Sequence, residues 1–244
     1  DPPAGLLYLA LGHDHPSLRI LEFRRALALS LDRSALAEAA PPNTTVATGG
    51  IVPPPLQGHT PDIAPAFDPD GAREALARSG VTTGAEVYYE PGEPEGELVA
   101  GVCTMWEEVL GLRFTLRSGE PEPNSGGARA AGIVLGGWFP GYPDPEYFLR
   151  LLLHSDASDN LGGYRRARFD ALIEEARLQP DGSKRLELFH EADRFAVAQD
   201  IAAIPLLYFR NVIVVKPWVH GWWEYGKSWS SFADLRIDPR EGSA

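Results

Sequence analysis

Residues 86–116 read EVYYEPGEPEGELVAGVCTMWEEVLGLRFTL, and this rhythm sets the fold class. Glu86 to Tyr89 is a short run of strand formers. From about Pro94 to Leu110, the residues Leu98, Val102, Met105, Trp106 and Val109 recur at helical spacing and give one apolar face. Gly111 ends that helix, and Leu112 to Leu116 alternates as a second strand. Strand, helix and strand in succession make the unit of an α/β layer, with a right-handed crossover.

Working outward toward the amino terminus, Asp68-Pro69 starts a helix that Gly80 closes. Residues 41–67 are proline-dense and read as extended connection. Before them, Ser17 can cap a helix running to about Leu31, and Asp32 or Ser34 starts a shorter one ending before Pro41-Pro42. Leu6 to Leu11 reads as a buried strand. On the other side, residues 118–127 carry two prolines and three glycines and cannot hold a helix. The apolar run Ala131 to Leu135 then leads into Gly136-Gly137-Trp138-Phe139-Pro140-Gly141-Tyr142-Pro143-Asp144-Pro145, followed by a helix to about Leu153. Residues 155–164 are loop. Two amphipathic helices follow, marked by Phe169, Leu172, Ile173 and Ala176, and by Leu188, Ala192, Phe195 and Ala196. Ile204 to Phe209 and Val212 to Val215 form a candidate hairpin through Arg210-Asn211, and the tail is aromatic.

The bend at Trp138 is the candidate site. Asp144 suits a helix N-cap and Pro145 the first helical position, so backbone donors and partial positive charge gather there. Trp138, Phe139 and Tyr142 offer rigid aromatic surface to a small organic ligand. For Trp138 and Tyr142 the competing reading is a plug in the core, and for Asp144 a cap alone. Asn160 and Tyr164, on the following loop, either line the same cleft or tie the loop to a helix.

Several stretches together resemble the extracytoplasmic solute-binding proteins, family 5, that serve peptide- and nickel-type ABC importers. Residues 136–149 are similar to that family's G-W-x-x-D-Y-P-D-P-x-x-F-L segment. Phe23 to Arg33 resembles R-x-A-L-x-x-A-I-D-R, Gly50 to Pro54 resembles G-x-I-P-P, and Asp68 to Gly80 resembles Y-D-P-x-K-A-K-x-L-L-x-x-A-G. Asn160 to Ile173 and Val215 to Gly221 match two further segments in the same order. The resemblance implies an α/β fold, one lobe of a periplasmic-binding-protein-like clamp (type II, cluster C), with a mixed sheet flanked by helices. It implies a C-terminal lobe over residues 1–221 and an aromatic tail, 222–244, returning toward an absent N-terminal lobe. The implied job is non-catalytic: the substrate-binding component of an importer for peptides or similar small solutes, outside the cytoplasm, with an ABC permease as partner. The implied ligand contacts are Trp138, Phe139, Gly141, Tyr142, Asp144, Asn160 and Tyr164. Gly141 stands where peptide-binding relatives carry an aspartate for the ligand's ammonium group. Its lack of a side chain suggests space for a ligand without a free amine. A sensor domain of a transcription regulator, in the cytoplasm, is the alternative for the same fold.

Composition narrows the field. A formal charge of −12 with few clustered Lys and Arg argues against nucleic-acid binding by this segment. Mean hydropathy is −0.19, and no apolar run is long enough to span a bilayer. Cys103 is the only cysteine, and no histidine or basic residue flanks it, so buried filler is expected. His13-Asp14-His15 could share a cation, yet Pro16 follows at once and no third ligand is fixed by spacing, so a polar turn is expected and no metal. No nucleophile elbow, zinc-helix or phosphate-loop motif occurs, and neither an enzyme activity nor a cofactor is expected. Trp222, Trp223, Tyr225 and Trp229 suggest burial against the absent lobe or, failing that, dimerisation.

Overall fold

The computed structural model describes residues 5–40, 43–92, 95–121, 127–210, 212, 214–221, 224–225, 229–230 and 235–238. Chain order is β1 (Gly5–Leu11), α1 (Leu21–Leu29), α2 (Arg33–Ala39), β2 (Thr44–Val46), α3 (Pro69–Ser79), β3 (Glu86–Tyr89), α4 (Glu95–Leu110) and β4 (Thr115–Ser118). Then come α5 (Ala128–Ala131), β5 (Gly132–Trp138), α6 (Glu146–Leu153), α7 (Ala167–Leu178), α8 (Gly182–Arg194) and β6 (Ala203–Phe209). A π-helical turn, Phe195–Gln199, extends α8. The short strands β7 (Val219–His220), β8 (Glu224–Tyr225), β9 (Trp229–Ser230) and β10 (Arg236–Ile237) form two small ribbons, β7 with β10 and β8 with β9.

One six-stranded mixed sheet carries the fold, in the order β2-β6-β1-β5-β3-β4. β3 runs parallel to both β4 and β5, whereas β1 is antiparallel to β5 and β6. Alternation splits each strand between the two faces. Leu9 and Leu11 of β1, Val87 of β3 and Ile133 and Leu135 of β5 pack under the helices α1, α3 and α4. Leu6, Tyr8 and Ala10 point to the other face, under Phe148 and Leu152 of α6, Ile173 of α7 and Phe189 of α8. Helices therefore cover both faces, and the central strands read as continuous apolar runs for that reason.

Register on β1 slips between Leu7 and Tyr8: Leu7 pairs with Leu207 and Tyr8 with Pro205, leaving Leu206 as an extra residue. Pro205 has no N–H to give a ladder, so a bulge is where a central strand can tolerate it. The expected hairpin partner for β6 does not form, and residues 212, 214 and 215 are outside any strand. β6 has only two edges, and β1 and β2 occupy both. Two boundaries also differ from expectation. α1 begins at Leu21, because the Ser17 N–H is taken by His15 Nδ1 at 3.3 Å and residues 17–20 form a turn. β4 begins at Thr115, three residues later than the alternation suggests. Asp32 caps α2, accepting from Ser34 N, and Asp68 caps α3 through Gly71 N.

Two buried groups tie the layers. Trp106 of α4 is fully buried, and its Nε1 donates to Leu27 O of α1 at 3.0 Å. Arg24 of α1 is equally buried, and its guanidinium donates to Leu18 O, Ile201 O and Asp200 O while pairing with the Asp200 carboxylate at 3.1 Å. Arg166 pairs with the second Asp200 oxygen at 2.8 Å. A buried charge stays tolerable only when saturated in this way. Burial draws Arg24 down to about 10, with Asp200 opposing. Cys103 lies buried in the α4 core, and burial, reinforced by Glu107, pushes its thiol up to about 12. Truncation of Trp106 to Ala should lower stability by about 3–5 kcal/mol in chemical denaturation, through the cavity and the lost tie to α1.

Asp193 of α8 is wholly enclosed beneath the Gly50-Ile51 turn, where its Oδ1 accepts from Ile51 N at 3.0 Å. Burial raises its pKa from 3.8 to about 7, the Ile51 and Thr60 hydrogen bonds opposing. The folded chain holds this proton more tightly than the unfolded chain does. Its stabilising contribution is thus complete below about pH 4 and lost as pH rises through about 7. Asp193→Asn keeps the acceptor and removes the titration. Thermal melts from pH 4 to 8 should show this variant gaining on the parent across that window, with the largest advantage at pH 8.

Candidate functional site

The carboxyl ends of β3, β4 and β5 and the amino half of β1 meet at one edge of the sheet. A groove of about 750 Å³ opens there. Its floor is Val134 to Trp138 of β5 with Leu7 and Tyr8 of β1, and Tyr89 and Glu95 form a second wall. The backbone runs from β4 around the rim at Gly119, Glu120 and Pro121, and Asp159 and Leu161 close the far side. Open α/β sheets place their crevices at such carboxyl ends, where strand order or direction reverses. The change here is direct: β5 is parallel to β3 and antiparallel to β1.

Gly136 explains how the floor stays open. A Cβ at this position would come within 2.7 Å of the Tyr8 ring and 3.0 Å of its hydroxyl. Any side chain would displace Tyr8 into the groove. Tyr8 itself is only 2% exposed, and burial, with the Asp159 charge, drives its phenol well above the ordinary tyrosine range.

The expected site residues separate into two groups. Trp138 lines the groove, half-buried, with its Nε1 donating to Tyr147 O at 3.0 Å and its ring 5.6 Å from that of Tyr147. This hydrogen bond fixes the indole plane. Phe139 turns away and packs its ring 6.1 Å from Phe209. Tyr142, 47% exposed, stands edge-on to Tyr147 at 4.7 Å outside the groove. Gly141 leaves no vacancy: a Cβ there would lie 2.7 Å from the Tyr147 hydroxyl, so that ring fills the space the sequence suggested for a ligand. Asp144 accepts from Glu146 N at 2.9 Å, which caps α6, and also binds both terminal nitrogens of Arg185 at 2.9 and 2.8 Å. Those bonds hold Arg185 above its ordinary pKa and saturate the Asp144 carboxylate. The Asp144 side chain is therefore a cap and an ion-pair partner.

Asn160 and Tyr164 do not reach the cleft. Asn160 is 1% exposed and clamps its own loop, donating to His154 O and Tyr164 O and accepting from Tyr164 N. Tyr164 is fully buried, 5.1 Å from the His13 ring and 5.6 Å from Phe169. The loop buries both because its backbone turns inward and needs internal partners. His13 and His15 diverge as well: His13 Nε2 lies 3.1 Å from Ala202 O, and His15 serves the Ser17 turn. Burial, followed by the Arg24 charge, depresses His13 to about 4. No metal-binding cluster occurs among the described residues. Of the aromatic tail, Trp222 and Trp223 lie outside the described residues, as do the side chains of Tyr225 and Trp229.

Sequence reading missed Tyr8, Tyr89, Glu90, Glu95, Glu120 and Asp159 as groove residues. One signal was available. Between Arg78 and Arg113 there are seven glutamates and no Lys or Arg, and such one-sided charge invites a functional reading.

Comparison with known proteins agrees with the geometry. The model of the bacterial extracellular solute-binding proteins, family 5, matches residues 1–160. The chain is 26% identical to the periplasmic oligopeptide-binding protein OppA of Salmonella typhimurium over 242 residues, covering 91% of this chain and 43% of that protein. It is 28% identical to the probable deoxycholate-binding periplasmic protein YgiS of Escherichia coli over 229 residues, covering 88% and 42%. Its fold superposes on the Escherichia coli murein tripeptide binding protein MppA with a TM-score of 0.85 at 20% identity, covering 97% of this chain and 49% of that one. The chain thus spans less than half the length of the curated relatives it matches. A two-faced α/β layer, a groove at its strand ends and a family match over residues 1–160 lead to one conclusion: this chain belongs to the bacterial extracellular solute-binding proteins, family 5.

Proposed function

We propose that this chain is one lobe, over residues 1–221, of a two-lobe solute-binding clamp that delivers a peptide or similar small solute to an ABC importer outside the cytoplasm. The carrying observation is the groove itself, open at the carboxyl ends of β3 and β5 and floored by an indole held in place by Tyr147. The ligand rests between this surface and a second lobe, and closure of the two around it reports occupancy to the permease. Kinship supports the same reading: OppA is named an oligopeptide-binding protein and MppA a murein tripeptide binding protein. The residues beyond β6 suit the return to a second lobe, since Val212 and Val214 are exposed apolar side chains and the ribbons from Val219 to Ile237 stand apart from the six-stranded sheet.

Within the groove, Trp138 supplies the apolar contact. The Gly136-Gly137 backbone brings the ligand close to the sheet, and the Asp144 cap with its Arg185 pair holds the bend rigid. Phe139, Tyr142 and Gly141 act from behind, as packing that positions the bend. Pre-organisation of this kind lowers the ordering cost of binding.

Calorimetry with a panel of short peptides and other small solutes tests the assignment. At least one class should bind, and Trp138→Ala should weaken that binding tenfold or more, about 1.4 kcal/mol, while Trp138→Phe retains most of it. Absence of binding across the panel, or an alanine variant that binds as the parent does, would overturn the assignment of this groove.

A further inference from the structure

The groove is lined by one sign of charge. Its ionisable carboxylates are those of Glu90, Glu95, Glu120 and Asp159, and no Lys, Arg or His reaches it. They arrive from four separate places: the end of β3, the first residue of α4, the rim after β4, and the loop between α6 and α7. None of the four forms an ion pair among the described residues. By contrast, acids elsewhere on the surface are paired, as Glu86 is with Arg117 and Asp144 with Arg185. Asp159 has only the Ser158 hydroxyl, at 3.1 Å.

A second observation points the same way. Tyr8 lines the groove floor over Gly136, yet it is 98% buried, and its hydroxyl has no hydrogen-bond partner among the described residues. A polar group so enclosed normally has a partner. A phenol oxygen beside a carboxylate can accept from an N–H while the carboxylate takes the charge.

We infer that this groove selects ligands presenting an ammonium or guanidinium group, held by Glu95 and Asp159 with the Tyr8 hydroxyl and drawn in by Glu90 and Glu120. This inference rests on the solute-binding reading and sharpens it. It also reverses the expectation drawn from Gly141: the carboxylate missing from the bend is replaced by carboxylates around the rim. The start of α4 contributes the opposite field, but a helix terminus is worth about half a charge, and the α4 first turn itself carries Glu95 and Glu97. Four unpaired carboxylates outweigh it. In a concave, low-dielectric setting their fields add and concentrate cations at the mouth. Trp138, on the floor, gives such a cation an aromatic face.

The test uses the full chain and four probes in calorimetry at low and high salt: tri-lysine, its fully acetylated form, tri-glutamate and spermidine. Tri-lysine should bind at least tenfold more tightly than the acetylated peptide, tri-glutamate should not bind, and affinity for tri-lysine should fall about tenfold between 20 and 500 mM salt. Spermidine separates the sources of the charge, binding comparably if the cation alone is read and weakly if a peptide backbone is also needed. Glu95→Gln and Asp159→Asn should each cost about fivefold for tri-lysine and nothing for the acetylated peptide. Tyr8→Phe should cost a further few-fold without changing the salt dependence. Equal binding of the charged and acetylated peptides, or salt-independent binding, overturns the inference and leaves the solute-binding assignment standing. Failure of every probe and of the wider solute panel removes both. The salt series on the unaltered chain decides the matter even if a variant does not fold.

Discussion

The reversal of strand direction at the β1–β5 seam is the constraint from which the rest follows. Because β5 runs with β3 and against β1, the carboxyl ends of the parallel half and the amino half of β1 share one edge. Backbone groups at that edge have no further strand to pair with, and the helices covering the two faces start or stop short of it. A crevice results from the topology alone. The bulge at Leu7 and Tyr8 adds local twist where the floor is formed, and Pro205 makes that bulge obligatory by withholding a ladder donor.

The bend after β5 is rigid for reasons that lie behind it. Trp138 donates to Tyr147 O, Tyr147 fills the position above Gly141, Tyr142 stacks edge-on to Tyr147, and Asp144 joins the α6 cap to Arg185 of α8. Each contact holds the next. Only one member of this chain of contacts, the indole, faces the groove. Ligand surface here therefore costs the protein a supporting layer of four aromatic or charged residues.

Much of this was legible beforehand. The strand–helix–strand rhythm of residues 86–116, the capped helices at Asp32 and Asp68, and the buried α4 face with Cys103 depend on local periodicity and capping chemistry, which act within a few residues. Trp138 was legible as a site residue because paired glycines before an aromatic turn are unusual in a buried strand. Asn160 and Tyr164 were misread because polarity on a loop looks the same whether it faces ligand or satisfies the loop's own backbone. Only the fold distinguishes the two, by turning that backbone inward.

The sequence alone determined the element types, the α/β class and the family, since hydrophobic period, caps and motif order are written along one dimension. Tertiary structure decided which strands share an edge, that β6 pairs with β1 and β2 instead of residues 212–215, and that Tyr147 closes the space at Gly141. It also decided that Glu90, Glu95, Glu120 and Asp159, far apart in the chain, surround a single groove. The physical reason is that electrostatic fields and close packing act through space, where residues separated by dozens of positions become neighbours.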